Sequence, residues 1–331
     1  MAQYAVGIDV GGNHFAAGIV SRDGSLLVKN ARPAKPERSF EAIVQDMAET
    51  VALSLKQAGL SPGDIAGTGF GVPSTLEPAT RRLIFANNLS WLNRDIAAEY
   101  SRHIPGPVFI ENDADCAVLG EVMTDTCTNA LMITFGTGVG GGLVIDGKLF
   151  RGCDGYGIEP GHMALVYGGR ECNCGNRGCV EAYCSVPALV QRTRETMAAC
   201  PDSLMWETCT DQSGRRDEGM AGGRTAFTAA KKGDRAAQEL LDEFIGMAGQ
   251  AIGSLITVFR PEKVIIGGGL SNEGDSFIIP LYEAAKRRYF GSGLMPMPLF
   301  AKARLGNDAG IVGAAMLAFS GMNVSYTRLL H

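Results

Sequence analysis

An apolar run, a cluster of glycines and a second apolar run occur twice in this 331-residue chain. The first copy runs from Tyr4 through Gly11-Gly12 to Val20, and the second runs from Ala130 through Gly136–Gly142 to Ile145. Apolar runs that break at glycines and then resume are typical of a β-hairpin. The repeat predicts a weak internal duplication, with a boundary between two lobes near residue 125.

The composition favours a globular protein and excludes two functional classes. Hydrophobic residues make up 46% of the chain and charged residues 20%, which is enough apolar material for a packed core. The net charge of −5 argues against nucleic-acid binding, which needs a basic face. Neither a long apolar run nor a signal-peptide pattern occurs, so the sequence predicts a cytoplasmic protein with no membrane partner.

Apolar periodicity predicts further elements along the chain. Residues 39–57 read as a helix with Ser39 as N-cap and Gly59 as stop signal. Other predicted helices are Arg94–His103, one starting near Asp113, Val186–Ala198, Ala236–Phe259 and Ala309–Phe319, and other predicted strands are Ile65–Val72, Val108–Ile110 and Val264–Ile266. The polar stretch Pro201–Arg224 is predicted to be an exposed loop.

Three glycine clusters directly follow predicted strands, at Gly11-Gly12, Gly136–Gly142 and Gly267–Gly269. Each could be only a tight turn, but glycine also lets backbone N–H groups form a nest around phosphate. Asp9 precedes the first cluster, where a carboxylate could hold Mg²⁺ beside a phosphate. A strand follows the second cluster, which excludes a dinucleotide fingerprint.

One histidine and three cysteines lie within a short segment, at His162, Cys172, Cys174 and Cys179. This donor set is typical of a closed tetrahedral zinc site. The nine cysteines are odd in number and clustered, which favours a metal over disulfides. Because four protein ligands leave no open position, the predicted zinc is structural.

Carboxylates and amides are the side chains that pair adjacent sugar hydroxyls. One candidate is Asn88, which precedes Leu89-Ser90-Trp91, and two more, Asn112 and Asp113, follow a predicted strand. The others are Glu159, just before His162, and Glu181, just after Cys179. Asp113 begins a predicted helix, whose N-terminus should lower the pKa of its carboxyl group. Such a weak base still suffices for phosphoryl transfer through a loose transition state.

The motifs together resemble the ROK family (repressor, open reading frame, kinase), and within it the bacterial glucokinase-like members. The resemblance runs from Gly7 to Gly310 and is most specific in Glu159-Pro-Gly-His162, Cys172-x-Cys174-Gly-x-x-Gly-Cys179-x-Glu181 and Glu111-Asn-Asp113-Ala. It implies an α/β chain with the actin-like ATPase (ribonuclease H-like) fold, in which two lobes close over a nucleotide and a sugar. Residues 1–125 would form the lobe with the first phosphate turn and the catalytic Asp113, and residues 126–331 the lobe with the second turn, the zinc site and the adenosine segment.

The resemblance also implies a role for each candidate residue. Asp113 would be the general base, and ATP with Mg²⁺ and a structural Zn²⁺ would be the cofactors. The sugar would bind to Asn88, Asn112, Asp113, Glu159, His162 and Glu181, and the zinc to His162, Cys172, Cys174 and Cys179. The nucleotide would bind to Asp9, Gly11, Gly12, Asn13, Gly136, Thr137, Gly138, Gly268 and Gly269. The expected partners are a small-molecule sugar and a second copy in a homodimer.

Two residues depart from the family pattern and leave the substrate open. Asn13 stands where the family usually has threonine, and Ser74 where it usually has glycine beside the sugar. We therefore expect a hexose kinase, with glucose ahead of allose, fructose, N-acetylmannosamine and N-acetylglucosamine. A sugar-responsive repressor is disfavoured because Asp9 leaves no room for a preceding DNA-binding domain, and a non-catalytic sugar-binding protein because both acids and the phosphate turns are intact.

Overall fold

A computed structural model of the protein describes residues 2–86, 89–123 and 127–320. Its strands are β1 (Tyr4–Val10), β2 (His14–Ser21), β3 (Leu26–Pro33), β4 (Ile65–Val72), β5 (Thr75–Leu76), β6 (Leu83–Ala86), β7 (Trp91–Arg94), β8 (Val108–Asn112), β9 (Ala130–Phe135), β10 (Val139–Ile145), β11 (Lys148–Leu149), β12 (Lys263–Gly267) and β13 (Leu299–Lys302). Its helices are α1 (Phe40–Ala58), α2 (Ile96–Tyr100), α3 (Asp113–Met123), α4 (Glu181–Cys184), α5 (Val186–Ala199), α6 (Thr225–Ala230), α7 (Arg235–Phe259), α8 (Asp275–Lys286) and α9 (Ala309–Ser320).

Two five-stranded sheets repeat one strand order. The first sheet runs β3-β2-β1-β4-β8 and the second runs β11-β10-β9-β12-β13. In the first sheet β1 pairs antiparallel with β2 and parallel with β4, with Asp9 opposite Ala16 and Gly71. The matching order confirms the predicted duplication. A small third sheet runs β5-β6-β7.

The chain also divides into two compact units, each formed from separate stretches. The first comprises the chain up to Leu131, the segment Gly142–Ile158 and the chain from Arg304, and the second comprises Met132–Gly141 and Glu159–Ala303. These units are discontinuous in sequence, whereas the predicted lobes are continuous. The lobe boundary near residue 125 stays a prediction.

In the first unit, α1 shows why the predicted helix forms where it does. The Ser39 side chain accepts the N–H of Ala42 at 3.2 Å, and Gly59 ends the helix in the left-handed region with φ of 68°. Such an N-cap contributes about 1 kcal/mol. The apolar face of α1 places Ile43 and Met47 in the core, where they pack with strand residues of the first sheet.

In the second unit, α7 carries the longest buried face. Its core residues include Leu241, Phe244 and Ile252, at the spacing that an amphipathic helix needs. Phe277 of α8 contacts Phe135 and Phe227 edge to face, with ring centroids 5.6 and 6.1 Å apart. No helix in the described ranges is both long enough and apolar enough to cross a membrane.

Two predictions about elements need correction. The predicted loop at residues 201–224 contains two 3₁₀ helices, Leu204–Cys209 and Glu218–Met220, and buries Met205 and Cys209 because their side chains complete the core there. The helix predicted over Arg94–His103 is limited to α2, since Asp95 caps it and β7 extends to Arg94. The strand β3 and the helix α8, which carries Pro280, were not predicted.

Candidate active site

In the first unit, the predicted phosphate turn joins β1 to β2. The N–H of Gly11 donates to the carbonyl oxygen of His14 at 2.8 Å, which closes the turn. The carbonyl oxygen of Asn13 accepts the N–H of Ala34 at 2.9 Å, which joins the turn to the residue after β3. The turn is therefore held by hydrogen bonds at both ends, and the N–H of Gly11 is used within the protein.

Asp9 lies at the end of β1, next to this turn, and its pKa is raised to about 7. Burial is the largest cause, since it disfavours the charged carboxylate, and the negative charge of Asp113 is the second. Lys29 lowers the pKa and Asp308 raises it slightly, while these two residues pair with each other at 2.5 Å. A bound cation would favour the charged form of this carboxyl group. Asp9 therefore suits the predicted Mg²⁺ site.

The raised pKa of Asp9 predicts how stability depends on pH when no nucleotide or divalent cation is present. Asp9 stays protonated in the folded protein up to about pH 7, but it ionises in the unfolded chain above about pH 4. Its contribution to stability is complete at the lowest pH and is lost as the pH rises to the folded pKa. Between about pH 5 and pH 8, we expect the wild type to lose on the order of 2 kcal/mol more stability than Asp9→Asn does. Urea unfolding of both proteins at the two pH values measures this, and equal losses would contradict it.

Asp113 is the first residue of α3, and the neighbouring Asn112 caps that helix. The Oδ1 atom of Asn112 accepts the N–H of Ala114 at 2.8 Å, and its Nδ2 atom donates to the carbonyl oxygen of Ser74 at 3.4 Å. The amide of Asn112 is thus engaged by the protein and also adjoins the unusual residue Ser74. Its predicted contact with sugar stays a prediction.

The expected lowering of the Asp113 pKa is wrong. The pKa of its carboxyl group is raised, because burial outweighs the backbone N–H bonds that favour the charged form. A half-buried carboxylate with a raised pKa is a better base near neutral pH than an exposed one.

A buried ionic triad, which the sequence did not reveal, anchors the corner that carries Asp113. Glu111 is 3% exposed and pairs with both Arg81 and Arg151. Arg81 also donates to the carbonyl oxygen of Ile110 at 3.0 Å. Breaking such a buried pair leaves an uncompensated charge, so the triad resists displacement of the adjoining residues. The only sequence signal was the position of Glu111 within the Glu-Asn-Asp motif.

In the second unit, the structure brings together the four predicted metal ligands. Their ligand atoms all lie within 4.8 Å of one another. The Sγ atoms of Cys174 and Cys179 are 3.7 Å apart, and Sγ of Cys172 is 3.6 Å from Nδ1 of His162. In a tetrahedral site with Zn–S bonds of about 2.3 Å, neighbouring ligand sulfurs lie about 3.8 Å apart. The cluster can therefore hold a tetrahedral metal ion.

Local hydrogen bonds explain how the cysteines converge. The N–H of Cys172 donates to the carbonyl oxygen of Asn176 and the N–H of Gly175 returns to Cys172, both at 2.9 Å. The hydroxyl oxygen of Tyr183 accepts the N–H of Arg170 at 2.8 Å, and the guanidinium of Arg170 stacks over the Tyr183 ring at 4.8 Å. These contacts help to bring the three cysteines together.

The second glycine turn and the predicted adenosine segment meet in the second unit. Gly268 has φ of 78°, and a Cβ atom built on it would lie 2.4 Å from the carbonyl oxygen of Phe135, the residue before Gly136. A 3₁₀ helix then begins at Gly269. Thr137 is exposed at the tip of the turn. The nucleotide residues predicted for this unit are therefore neighbours.

The remaining predicted sugar ligands, apart from His162, lie in different parts of the chain. Glu159 is exposed and begins the 3₁₀ helix Pro160–His162. Glu181 is the first residue of α4 and accepts the N–H of Val139 at 2.9 Å. Asn88 lies outside the described residues.

A comparison with known families decides the classification. Residues 5–320 match the ROK family. The chain belongs to the ROK family. The predicted resemblance and the actin-like ATPase fold with two lobes, which ROK sugar kinases share, are thereby confirmed.

Individual ROK proteins resemble the chain along almost its entire length. A glucokinase of Streptomyces coelicolor is 34% identical over 95% of this chain and 96% of its own length. A glucokinase of Thermotoga maritima is also 34% identical, over 94% of this chain and 96% of its own. A ROK family glucokinase from Streptomyces griseus, solved in complex with glucose and AMPPNP, superposes with a TM-score of 0.81 at 31% identity and covers 96% of this chain and 100% of its own.

Proposed function

We propose that this protein is an ATP-dependent hexose kinase that phosphorylates glucose at its 6-hydroxyl. The observation that carries the proposal is the pair of electrostatically coupled acids, Asp9 and Asp113, in a chain that matches two glucokinases along almost its whole length. The solved complex of a similar ROK glucokinase with glucose and AMPPNP supports both the proposed sugar and the proposed nucleotide.

The carboxylate of Asp113 accepts the proton of the sugar hydroxyl. The hydroxyl oxygen forms a bond to the γ-phosphorus while the bond from that phosphorus to the departing ADP oxygen breaks. Because the transition state is loose, the chain contributes mainly by positioning and charge stabilisation. The raised pKa of Asp113 makes its carboxylate a stronger base than an ordinary aspartate.

Two metal ions complete the proposal. Asp9 would hold Mg²⁺, directly or through water, and bound Mg²⁺ would neutralise charge on the nucleotide phosphates. His162, Cys172, Cys174 and Cys179 would hold zinc, which supports the fold of the loop and activates no water because every position is taken by protein. His162 presents Nδ1 toward Cys172, which leaves Nε2 for a sugar hydroxyl.

The sugar contacts are proposed from the ROK pattern alone. Asn112, Glu159, His162 and Glu181, together with Asn88, would pair with ring hydroxyls. A substrate that lacks the matching hydroxyl strands a buried polar group at about 1–3 kcal/mol. We therefore propose that epimers of glucose react one to two orders of magnitude more slowly in kcat/KM.

Another hexose or an N-acetylhexosamine is the second candidate substrate. The observation that favours it is Ser74, whose backbone carbonyl adjoins the Asn112 amide. A side chain at this position changes the space beside a predicted sugar ligand. It could crowd an acetamido group or suit a different epimer.

A substrate survey tests the assignment. Coupled ADP-release assays give kcat/KM for glucose, allose, mannose, fructose, N-acetylglucosamine and N-acetylmannosamine. We expect glucose to be the best substrate. A tenfold higher kcat/KM for any of the others would contradict the preference for glucose and leave the kinase intact, and no turnover of any sugar would contradict the kinase itself.

Two properties of the whole protein are also proposed. A homodimer follows the family pattern, and exposed apolar side chains at one end of α7 and on the edge strand β13, including Val258 and Leu299, each 71% exposed, would suit such an interface. A cytoplasmic location follows from the proposed use of ATP.

A further inference from the structure

Glu181 contacts the second glycine turn as well as the cluster beside which it lies. Its Oε2 atom accepts the N–H of Val139, the residue that ends the turn, at 2.9 Å. A Cβ atom built on Gly138 would lie 2.4 Å from the same oxygen. The carboxylate therefore occupies the space that a side chain at Gly138 would need.

This contact helps to decide which turn amides remain for a ligand. The N–H of Gly136 donates to the carbonyl oxygen of Gly138 at 2.9 Å, and the N–H of Val139 donates to Glu181. Within the ranges that the structure describes, no protein acceptor takes the N–H of Thr137 or Gly138. Two adjacent amides at the tip of a turn form an anion-binding nest.

The same carboxylate also reaches the Cys/His cluster. Its Oε1 atom lies 3.9 Å from Sγ of Cys172. Glu181 follows the ligand Cys179 by one intervening residue, and the N–H of Val186, just beyond α4, donates to the carbonyl oxygen of Gly136 at 2.8 Å. The segment 181–186 thus makes hydrogen bonds to both ends of the turn. It begins two residues after the predicted metal ligand Cys179.

We propose that Glu181 is a positioning residue for the nucleotide, which links the shape of the turn Gly136–Gly138 to the Cys/His cluster. This inference rests on the proposed function and adds to the sugar contact proposed for Glu181. A carboxylate that accepts a backbone N–H makes a stronger hydrogen bond than a neutral acceptor does. Without it, the Val139 amide and the turn lose their only side-chain support in the described part of the chain.

The test measures nucleotide affinity in the absence of sugar, with a non-hydrolysable ATP analogue and Mg²⁺ in a calorimeter. We expect Glu181→Ala to weaken binding of the analogue by on the order of tenfold, which corresponds to the loss of one charge-assisted hydrogen bond. Glu181→Gln retains an oxygen that can accept the Val139 N–H, so its affinity should stay within about threefold. Glu171→Ala is the matched control, because Glu171 flanks Cys172 but pairs with Arg177 at the surface, and its affinity should equal that of the wild type.

A second pair of variants changes the turn side of the contact between Glu181 and the turn. Gly138→Ala should also weaken nucleotide binding, because its Cβ displaces the carboxylate. In the Glu181→Ala background the same substitution should cost much less, since residues in direct contact show non-additive effects. If Glu181→Ala gives no folded protein, Gly138→Ala and Glu181→Gln carry the test, with weakened and nearly unchanged affinity as the expected results.

The outcomes separate this inference from the proposed function. A wild-type protein that binds the analogue, together with Glu181→Ala or Gly138→Ala variants of unchanged affinity, would overturn the positioning role alone. Glu181 would then act only through the proposed sugar contact, and Glu181→Ala would change the affinity for sugar alone. A wild-type protein that does not bind the analogue would overturn the proposed function and the inference with it.

Discussion

Asp113→Asn should lower kcat by about 10²–10⁴-fold while the affinities for sugar and nucleotide stay within a few fold. The substitution keeps the size of the side chain and most of its hydrogen bonding. It removes the acceptor of the hydroxyl proton and the negative charge. Single-turnover assays and calorimetry with each substrate measure the chemical step and the binding separately.

The pH dependence of kcat/KM in the wild type tests the role of Asp113 independently. Because burial raises the pKa of Asp113, the acid-side fall of kcat/KM should occur at a higher pH than the ordinary pKa of an aspartate predicts. This acid-side fall of kcat/KM reports the titration of Asp113 and Asp9 as a pair, because the charge of Asp113 also raises the pKa of Asp9. Asp202→Asn, which changes an exposed acid, is the matched control and should behave as the wild type. Near wild-type turnover in Asp113→Asn would remove Asp113 from the mechanism.

Cys174→Ser should release the metal and abolish most of the kinase activity. The wild type should contain about one zinc per chain, and loss of one of four ligands should weaken binding by at least about 100-fold, since even outer partners contribute roughly 10- to 100-fold. Cys174 is exposed, so the substitution disturbs no packed core. Activity should fall because the loop that places His162 and Glu181 loses its shape. Elemental analysis of protein purified without chelator, with a coupled kinase assay, measures both effects.

The exposed Cys153 provides the control, because it lies outside the cluster. Cys153→Ser should retain both the zinc and the activity. A wild-type protein free of zinc would defeat the prediction. So would a Cys174→Ser variant that keeps full activity after losing its metal, because the cluster would then have no role in placing the substrates.

Local sequence predicted the features whose causes are local. The hairpin at Gly11-Gly12, the capped helix α1 and the start of α3 at Asp113 depend on residues within one or two turns of the chain. The Cys/His cluster was equally accessible, because its ligands lie in one loop that short hydrogen bonds close. The strand β3 was missed because it buries no apolar face that would mark it in the sequence, and the helix α8 because Pro280 lies inside it.

The repeated sheet, the glycine turns, the acids beside them and the ligand set could all be predicted from the amino-acid sequence. The electrostatics of the acids and the contacts between distant segments could not, because they depend on tertiary packing. Burial raised the pKa of Asp113, although its position at a helix N-terminus predicted the opposite. The Glu111 triad and the bond between Glu181 and Val139 join residues far apart in the chain. Hydrogen-bond patterns within a turn are set by neighbours in sequence, whereas desolvation and charge sum over every residue that folding brings near.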